Sequence, residues 1–163
     1  MEFRVATLAD LENIATIFLK CWTISYSEVL SESARKSFSL ESAKDLWRTS
    51  IEIPEDKETV LLINEDAIAV VFRIGGDKTD HNRGHLFSLY VDPAHAGKGL
   101  GKASLMEAMD RIRVRGFHEM TLWVFAENTI ANSLYTKAGF TPSGNSRTTP
   151  EWGAQEIELI TTL

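Results

Sequence analysis

Leu89-Tyr90-Val91-Asp92-Pro93-Ala94-His95-Ala96-Gly97-Lys98-Gly99-Leu100-Gly101-Lys102-Ala103 joins three elements in fifteen residues. An apolar strand ends at Asp92-Pro93, a glycine-bearing loop follows, and a helix starts at once. That succession brings consecutive backbone N–H groups and the positive end of a helix dipole to one point, which suits an anion such as a phosphate. Gly97, Gly99 and Gly101 keep side chains away, so a ligand can approach the main chain closely. Two familiar phosphate loops do not fit. A Walker A loop aligned on Gly101-Lys102 meets Ala96 at its first glycine and Ala103 at its magnesium-binding hydroxyl. The fingerprint Gly-x-Gly-x-x-Gly meets Lys102 when started from Gly97 and Ser104 when started from Gly99. A strand-to-helix turn without a ligand is the alternative reading of this stretch alone.

Working towards the N-terminus, His85 to Val91 reads as a strand after a polar turn over 75–84. Before it, Val60–Ile63 and Ala67–Ile74 read as a hairpin around Asn64-Glu65-Asp66. Ala43, Leu46, Trp47 and Ile51 give a helix beginning near Ser39 one apolar face, and Pro54 lies beyond its end. An earlier helix carries Leu11, Ile14, Ala15, Phe18 and Leu19; Thr7 and Asp10 resemble a capping box at its start, behind a short strand Phe3–Val5.

Towards the C-terminus, Leu105, Met109 and Ile112 mark a helix from Gly99 to about Arg115, stopped by Gly116. Met120–Phe125 reads as a strand and Asn128–Ala138 as a helix; Thr141 to about Thr149 and Ile157–Ile160 are closing strands. The order β-α-α-β-β-β-α-β-α-β-β shows no repeat and no linker. It predicts one α/β domain over residues 1–163 with a mixed sheet.

Composition agrees. The 163 residues are 44% hydrophobic and 25% charged, which excludes disorder and low-complexity repeats and suffices for one sizeable core. The longest uncharged apolar run, Ala67–Phe72, is far short of the roughly 20 residues of a membrane span, so no membrane association is expected. The opening residues MEFRVATLAD lack the apolar core of a secretory signal. Cys21 is the only cysteine, so neither an internal disulfide nor a structural zinc cluster is available; a cytoplasmic location is expected. Residues 1–66 hold 13 acids and 7 bases, whereas 67–163 hold 10 of each, so the formal charge of −6 sits in the first part. That balance argues against nucleic acid as a partner.

A second motif narrows the reading. Asn128-Thr129-Ile130-Ala131-Asn132-Ser133-Leu134-Tyr135-Thr136-Lys137-Ala138-Gly139-Phe140 follows the strand ending Leu122-Trp123-Val124. Asn128 is a good helix N-cap, and Tyr135, seven residues on, returns to nearly the same face. With "LYVDPAHAGKGLGKASL" about 30 residues earlier, this strongly resembles the GNAT superfamily of acyl-CoA-dependent N-acetyltransferases. The element order agrees across the chain, and "CWTISYSEVL" followed by "LESAKDLWRTSI" resembles a common bacterial-type branch.

The resemblance implies a mostly antiparallel sheet of six to seven strands, about four flanking helices and two central strands that splay apart. It implies acetyl-CoA as cosubstrate, no metal, and an amine acceptor attacked directly in a ternary complex. The N–H of Leu89 would polarise the acetyl carbonyl, and Val91 would pair with the pantetheine amides. The main chain of Gly97, Lys98, Gly99, Leu100, Gly101 and Lys102 would hold the diphosphate, and Asn128 would bond the pantetheine arm. Tyr135 would be the acid that meets the departing thiolate. Trp22, Tyr26, Glu28 and Trp123 would border the acceptor slot, with Glu28 placed to anchor or deprotonate an amine. A homodimer is compatible with such a domain.

Two features depart from the family pattern. Ala96 stands where that pattern has Arg or Gln, and no carboxylate occupies Phe87, Ser88 or Trp123, so the general base is unassigned. His81 and His85 are four apart, but with no third ligand they do not suggest a metal. Simple alternation puts His85 on the strand face of Phe87, Leu89 and Val91, a weak candidate for the base. The competing functions are a non-catalytic acyl-CoA-binding module, which has no need of an acid such as Tyr135, and a nucleotide-binding protein, which the two failed loop tests disfavour.

Overall fold

The computed structural model describes residues 1–163. Seven strands form one sheet: β1 (Glu2–Val5), β2 (Glu58–Asn64), β3 (Ala67–Gly76), β4 (Gly84–Val91), β5 (Glu119–Phe125), β6 (Thr141–Thr148) and β7 (Gln155–Thr162). Their order across the sheet is β1-β2-β3-β4-β5-β7-β6. Every neighbouring pair is antiparallel except β4 and β5. The helices are α1 (Leu11–Lys20), α2 (Glu32–Arg35), α3 (Leu40–Glu52), α4 (Leu100–Val114) and α5 (Thr129–Lys137).

Apolar periodicity explains which face each helix covers. Ile14, Ala15 and Phe18 of α1 and Ala43 and Trp47 of α3 bury against Leu61 and Val71 on one side of the sheet. Leu105, Met109 and Ile112 of α4 and Tyr135 of α5 bury against Phe72, Ile74, Leu86 and Leu122 on the other. Burying side chains of this size contributes about 1.5–3 kcal/mol each, and these two layers hold the sheet between them.

The element order read from the sequence is observed, with one addition and one correction. A short further helix, α2, forms between α1 and α3. Its four residues are too few to show a periodicity, and a Ser31 side chain accepting from the Ala34 N–H at 3.2 Å stabilises them. Residues Cys21–Ser25 also continue α1 as a turn of π-helix. Secondly, Leu46 does not join the apolar face of α3; it is 46% exposed, while Ser50 takes the inward position. The Ser50 hydroxyl donates to the Leu46 carbonyl at 3.0 Å and accepts from Arg73 Nη1 at 2.8 Å, so a polar group is tolerated there.

The start of α1 is anchored electrostatically. The Asp10 carboxylate accepts from the Thr7 N–H at 2.8 Å and the Thr7 hydroxyl at 3.0 Å, and pairs with both terminal nitrogens of Arg4 at 2.8 and 2.6 Å. The Arg4 bonds, foremost, hold its carboxyl at about 2 against an ordinary 3.8. A depressed carboxyl stabilises the fold above its unfolded pKa and loses that contribution as pH falls towards the folded value. With Arg4 partly exposed, the contribution is about 1–2 kcal/mol. Asp10→Asn is therefore expected to lower unfolding stability by that amount at pH 7. In urea titrations the gap should close between pH 4 and pH 2; a gap unchanged down to pH 2 would contradict this account.

Candidate active site

The two parallel central strands pair only at Gly84–Met120, His85–Thr121 and Leu86–Leu122, then diverge, although β4 runs on to Val91 and β5 to Phe125. The cause lies in β4. Ile74 of β3 faces Leu86 but Arg73 faces Ser88, so Phe87 is an extra residue, a β-bulge. Bulges bend and overtwist a strand, and this one turns β4 away from β5.

The bulge also corrects the expected alternation. His85 stays with Phe87, their rings 4.7 Å apart, but Leu89 and Val91 pack on the α4 side of the sheet. Tyr90 turns to the α1 side, its ring 5.4 Å from Phe18 and 6.2 Å from Trp47. His85 is thus on the opposite face from Leu89 and Val91.

The main chain of β4 continues the pattern. The Asp92 N–H donates to the Ala69 carbonyl of β3 at 2.9 Å. Strand N–H groups alternate in direction, so those of Leu89 and Val91 point away from β3, towards the split. The Cys21 thiol donates to the Val91 carbonyl at 3.2 Å. Burial pushes that thiol up to about 12, which makes it a tether and not a nucleophile.

Beyond β4, Asp92 shapes the loop. Its carboxylate accepts from the Ala94 N–H at 3.0 Å and pairs with Lys20, at the end of α1, at 3.0 Å. A short 3-10 turn, Pro93–His95, then leads to Gly97 and Gly99, both at φ +76°. Gly99 caps α4 in this left-handed conformation. A Cβ on either glycine would meet nothing within 4 Å, whereas one on Gly101 would touch Val91 Cγ2 at 3.4 Å and Leu134 Cδ2 at 3.7 Å.

No N–H from Gly97 to Lys102 donates to any acceptor in the protein; the first bond of α4 runs from Ala103 to Gly99. Lys98 and Lys102 are exposed and form no ion pair. A run of free donors at a helix N-terminus, flanked by two free cations, fits a diphosphate. The exposed Ala96 adds no side-chain contact to it.

On the far side of the split, Asn128 caps α5 by accepting from the Ala131 N–H at 3.1 Å, leaving its Nδ2 without a protein partner. Asn132, which the sequence reading passed over, ties this corner together: its Nδ2 donates to the carbonyls of Asn128 at 2.9 Å and Phe125 at 3.0 Å. Tyr135 is 7% exposed and packs edge-on to Phe140 at 5.9 Å. Its hydroxyl makes no hydrogen bond within the protein. Burial raises its pKa, so the phenol stays protonated through the neutral range.

The four residues expected at the acceptor slot are not equivalent. Trp22 is only 3% exposed and lies beneath a rim rather than on one, stacked among Phe18, Tyr26, Phe38 and Trp152. Tyr26 is half-buried against Phe125 at 5.3 Å, and Glu28 is exposed. Trp123 is half-buried on the same face of β5 as Phe125, with the Arg147 guanidinium 4.3 Å over its ring. Further polar residues share this face: Arg73, His85, Thr121, Glu158 and, at the end of β3, Asp77. Neither composition nor spacing singled out Arg73, Asp77, Thr121 or Glu158.

Set against known proteins, residues 11–140 match the model of the acetyltransferase (GNAT) family. The chain belongs to that family. This GNAT protein is 26% identical over 141 residues to a spermidine N(1)-acetyltransferase of Thermoplasma acidophilum, covering 86% of this chain and 88% of that one. It is 43% identical over 63 residues to a mycothiol acetyltransferase of Beutenbergia cavernae, covering 39% of this chain but only 21% of that one. In structure it resembles the PaiA N-acetyltransferase of T. acidophilum crystallised with coenzyme A. There the TM-score is 0.79 at 22% identity, over 99% of this chain and 98% of that one. The GNAT chain is accordingly an acyltransferase that moves acetyl from acetyl-CoA to an amine, on the fold expected from its sequence. No helix in it is long and apolar enough to cross a membrane.

Proposed function

We propose that this enzyme acetylates the primary amine of a small molecule or peptide by direct attack of the amine on acetyl-CoA in a ternary complex. The observation that supports it best is the run of free N–H groups from Gly97 to Lys102, opening onto the split that the Phe87 bulge creates. In this reading the loop holds the diphosphate, and the pantetheine arm runs between β4 and β5 past Val91 and the Asn128 amide. The Leu89 N–H polarises the acetyl carbonyl as oxyanion character develops. The amine nitrogen bonds to the acetyl carbon, the C–S bond breaks, and the Tyr135 phenol donates its hydrogen bond to the sulfur that leaves. The acceptor approaches from the face bearing Tyr26, Trp123 and the exposed Glu28, with Trp22 supporting that wall from beneath. The acids concentrated in residues 1–66 favour a cationic acceptor. The buried free thiol of Cys21 supports a cytoplasmic setting.

The test is a screen of amines with acetyl-CoA that follows free thiol: polyamines, amino acids, cysteinyl amines and peptides with a free N-terminus. At least one should release thiol in proportion to enzyme and yield the N-acetyl product. Tight acetyl-CoA binding by calorimetry, with no thiol from any amine, would favour the non-catalytic binding module instead.

A further inference from the structure

Beneath Phe87, on the face opposite Leu89, lies a linked set of buried polar groups. His85 is 8%, Thr121 0% and Asp77 8% exposed. The Thr121 hydroxyl lies 2.6 Å from Asp77 Oδ2 and 2.7 Å from His85 Nδ1; Nδ1 and Oδ2 are themselves 3.5 Å apart. The direction of these bonds follows from proton counting. The Asp77 carboxylate can only accept, and it also accepts from the Thr79 N–H and hydroxyl, each at 2.7 Å. A hydroxyl has one proton, and at 2.6 Å Thr121 gives it to Asp77. Thr121 therefore accepts from His85, so Nδ1 carries the imidazole proton and the lone pair is on Nε2. That nitrogen has no partner in the protein, yet it is not among the polar atoms sealed from solvent.

We infer that His85 is the general base of the acetyl transfer, with Thr121 and Asp77 as positioning residues that hold its tautomer and its ring. The inference rests on the proposed transfer to an amine and supplies the base that no carboxylate at Phe87, Ser88 or Trp123 provides. His85 lies in the middle of the three β4–β5 pairs, one residue before the strands diverge, on the side from which the acceptor approaches. Leu89 is four residues further along β4, on the order of 13 Å of extended chain, so the proton crosses that gap along a file of ordered waters and not by direct contact. As the amine nitrogen bonds to the acetyl carbon and the C–S bond breaks, the nitrogen loses a proton through those waters to Nε2. The imidazolium keeps Nδ1–H on Thr121 and later returns the extra proton to solvent.

The groups that face His85 allow this role. Burial disfavours the imidazolium most strongly, Asp77 and Glu158 of β7 favour it, and Arg147 of β6 opposes it. The Phe87 ring meets the imidazole edge-on, with Lys57 over the Phe87 ring at 5.6 Å. The balance lowers the His85 pKa, so the imidazole is neutral at pH 7 and its Nε2 lone pair is free to accept a proton.

The experiment has one arm that needs no turnover. In protein labelled with ¹⁵N at histidine, the His85 imidazole at pH 7.5 should be the Nδ1–H tautomer, and Thr121→Val should release it from that state. A neutral Nε2–H tautomer in the wild-type protein overturns the inference. In the second arm, His85→Gln should lower kcat/KM for spermidine, or for the most active amine of the screen, by about 10²-fold or more. The acid limb of the pH profile should disappear, and acetyl-CoA affinity should not move. Thr121→Val should shift that limb, and Thr121→Ser should restore it. If His85→Gln acetylates within twofold of wild type with the same acid limb, His85 is not the base and the transfer reading stands. If no amine is acetylated by wild type, the transfer reading itself fails, and the base assignment with it.

Discussion

Replacing Tyr135 with Phe is expected to leave acetyl-CoA affinity nearly unchanged and to lower kcat by about 10²–10⁴-fold, the usual contribution of a positioned acid. The ring packs against Phe140 and the α4–α5 layer, and Phe keeps those contacts. Only the hydroxyl is lost, and it has no hydrogen-bond partner in the protein. Stability should therefore change little. A thiolate is a poor leaving group when desolvated, and in the proposed complex the phenol is the donor that meets it. Because burial raises the Tyr135 pKa, the phenol remains a donor well above neutral pH. In the proposed mechanism it stabilises developing thiolate charge as a hydrogen-bond donor, more than it completes an uphill proton transfer. Single-turnover acetyl transfer is the deciding measurement, since a slow product release would mask the effect in kcat. An unchanged single-turnover rate removes Tyr135 from the mechanism.

Gly99→Val should weaken acetyl-CoA binding by roughly 10- to 100-fold, equivalent to losing about one hydrogen bond to a charged group. Two effects act together. At φ +76° a β-branched residue is strained, and the backbone will relax away from the geometry that aligns the N–H groups of Leu100, Gly101 and Lys102. The added side chain also projects into the open space before the loop. Gly99→Asn separates them, because Asn tolerates the left-handed region and preserves the loop; it should weaken binding less. Thermal stabilisation by acetyl-CoA is the readout. If Gly99→Val keeps the full wild-type shift while folded, the diphosphate does not sit on this loop.

What could be read from the residues alone, and what could not, divides along physical lines. Local chemistry was legible: the glycine loop at 97–101, the Asn128 cap with Tyr135 seven residues later, and the Thr7–Asp10 box all depend on neighbours in sequence. The bulge at Phe87 was not, because it is defined by pairing to Arg73 and Ser88 across strands that no local pattern registers. From that one missed residue came the wrong face for His85. Asp77 hid in a turn-rich segment as an ordinary polar residue, and Thr121 looked like a strand former. Ser50 turns inward where Leu46 is expected because Arg73, from another strand, supplies a partner for the buried hydroxyl. Aromatic residues suit both cores and pocket walls, and only its neighbours in space put Trp22 in the core.

The bulge at Phe87 also bears on stability. By parting β4 from β5 it leaves main-chain groups of Leu89 and Val91 at an internal sheet edge, the kind of edge that other chains can extend. In the proposed complex the pantetheine arm fills that edge as a removable strand, its amides pairing where a peptide would. The sheet is then complete only when the donor is bound, and slow exchange of those amides would report occupancy as directly as turnover does. A fold built this way links its own rigidity to the supply of acetyl-CoA, and it guards an otherwise adhesive seam with its substrate.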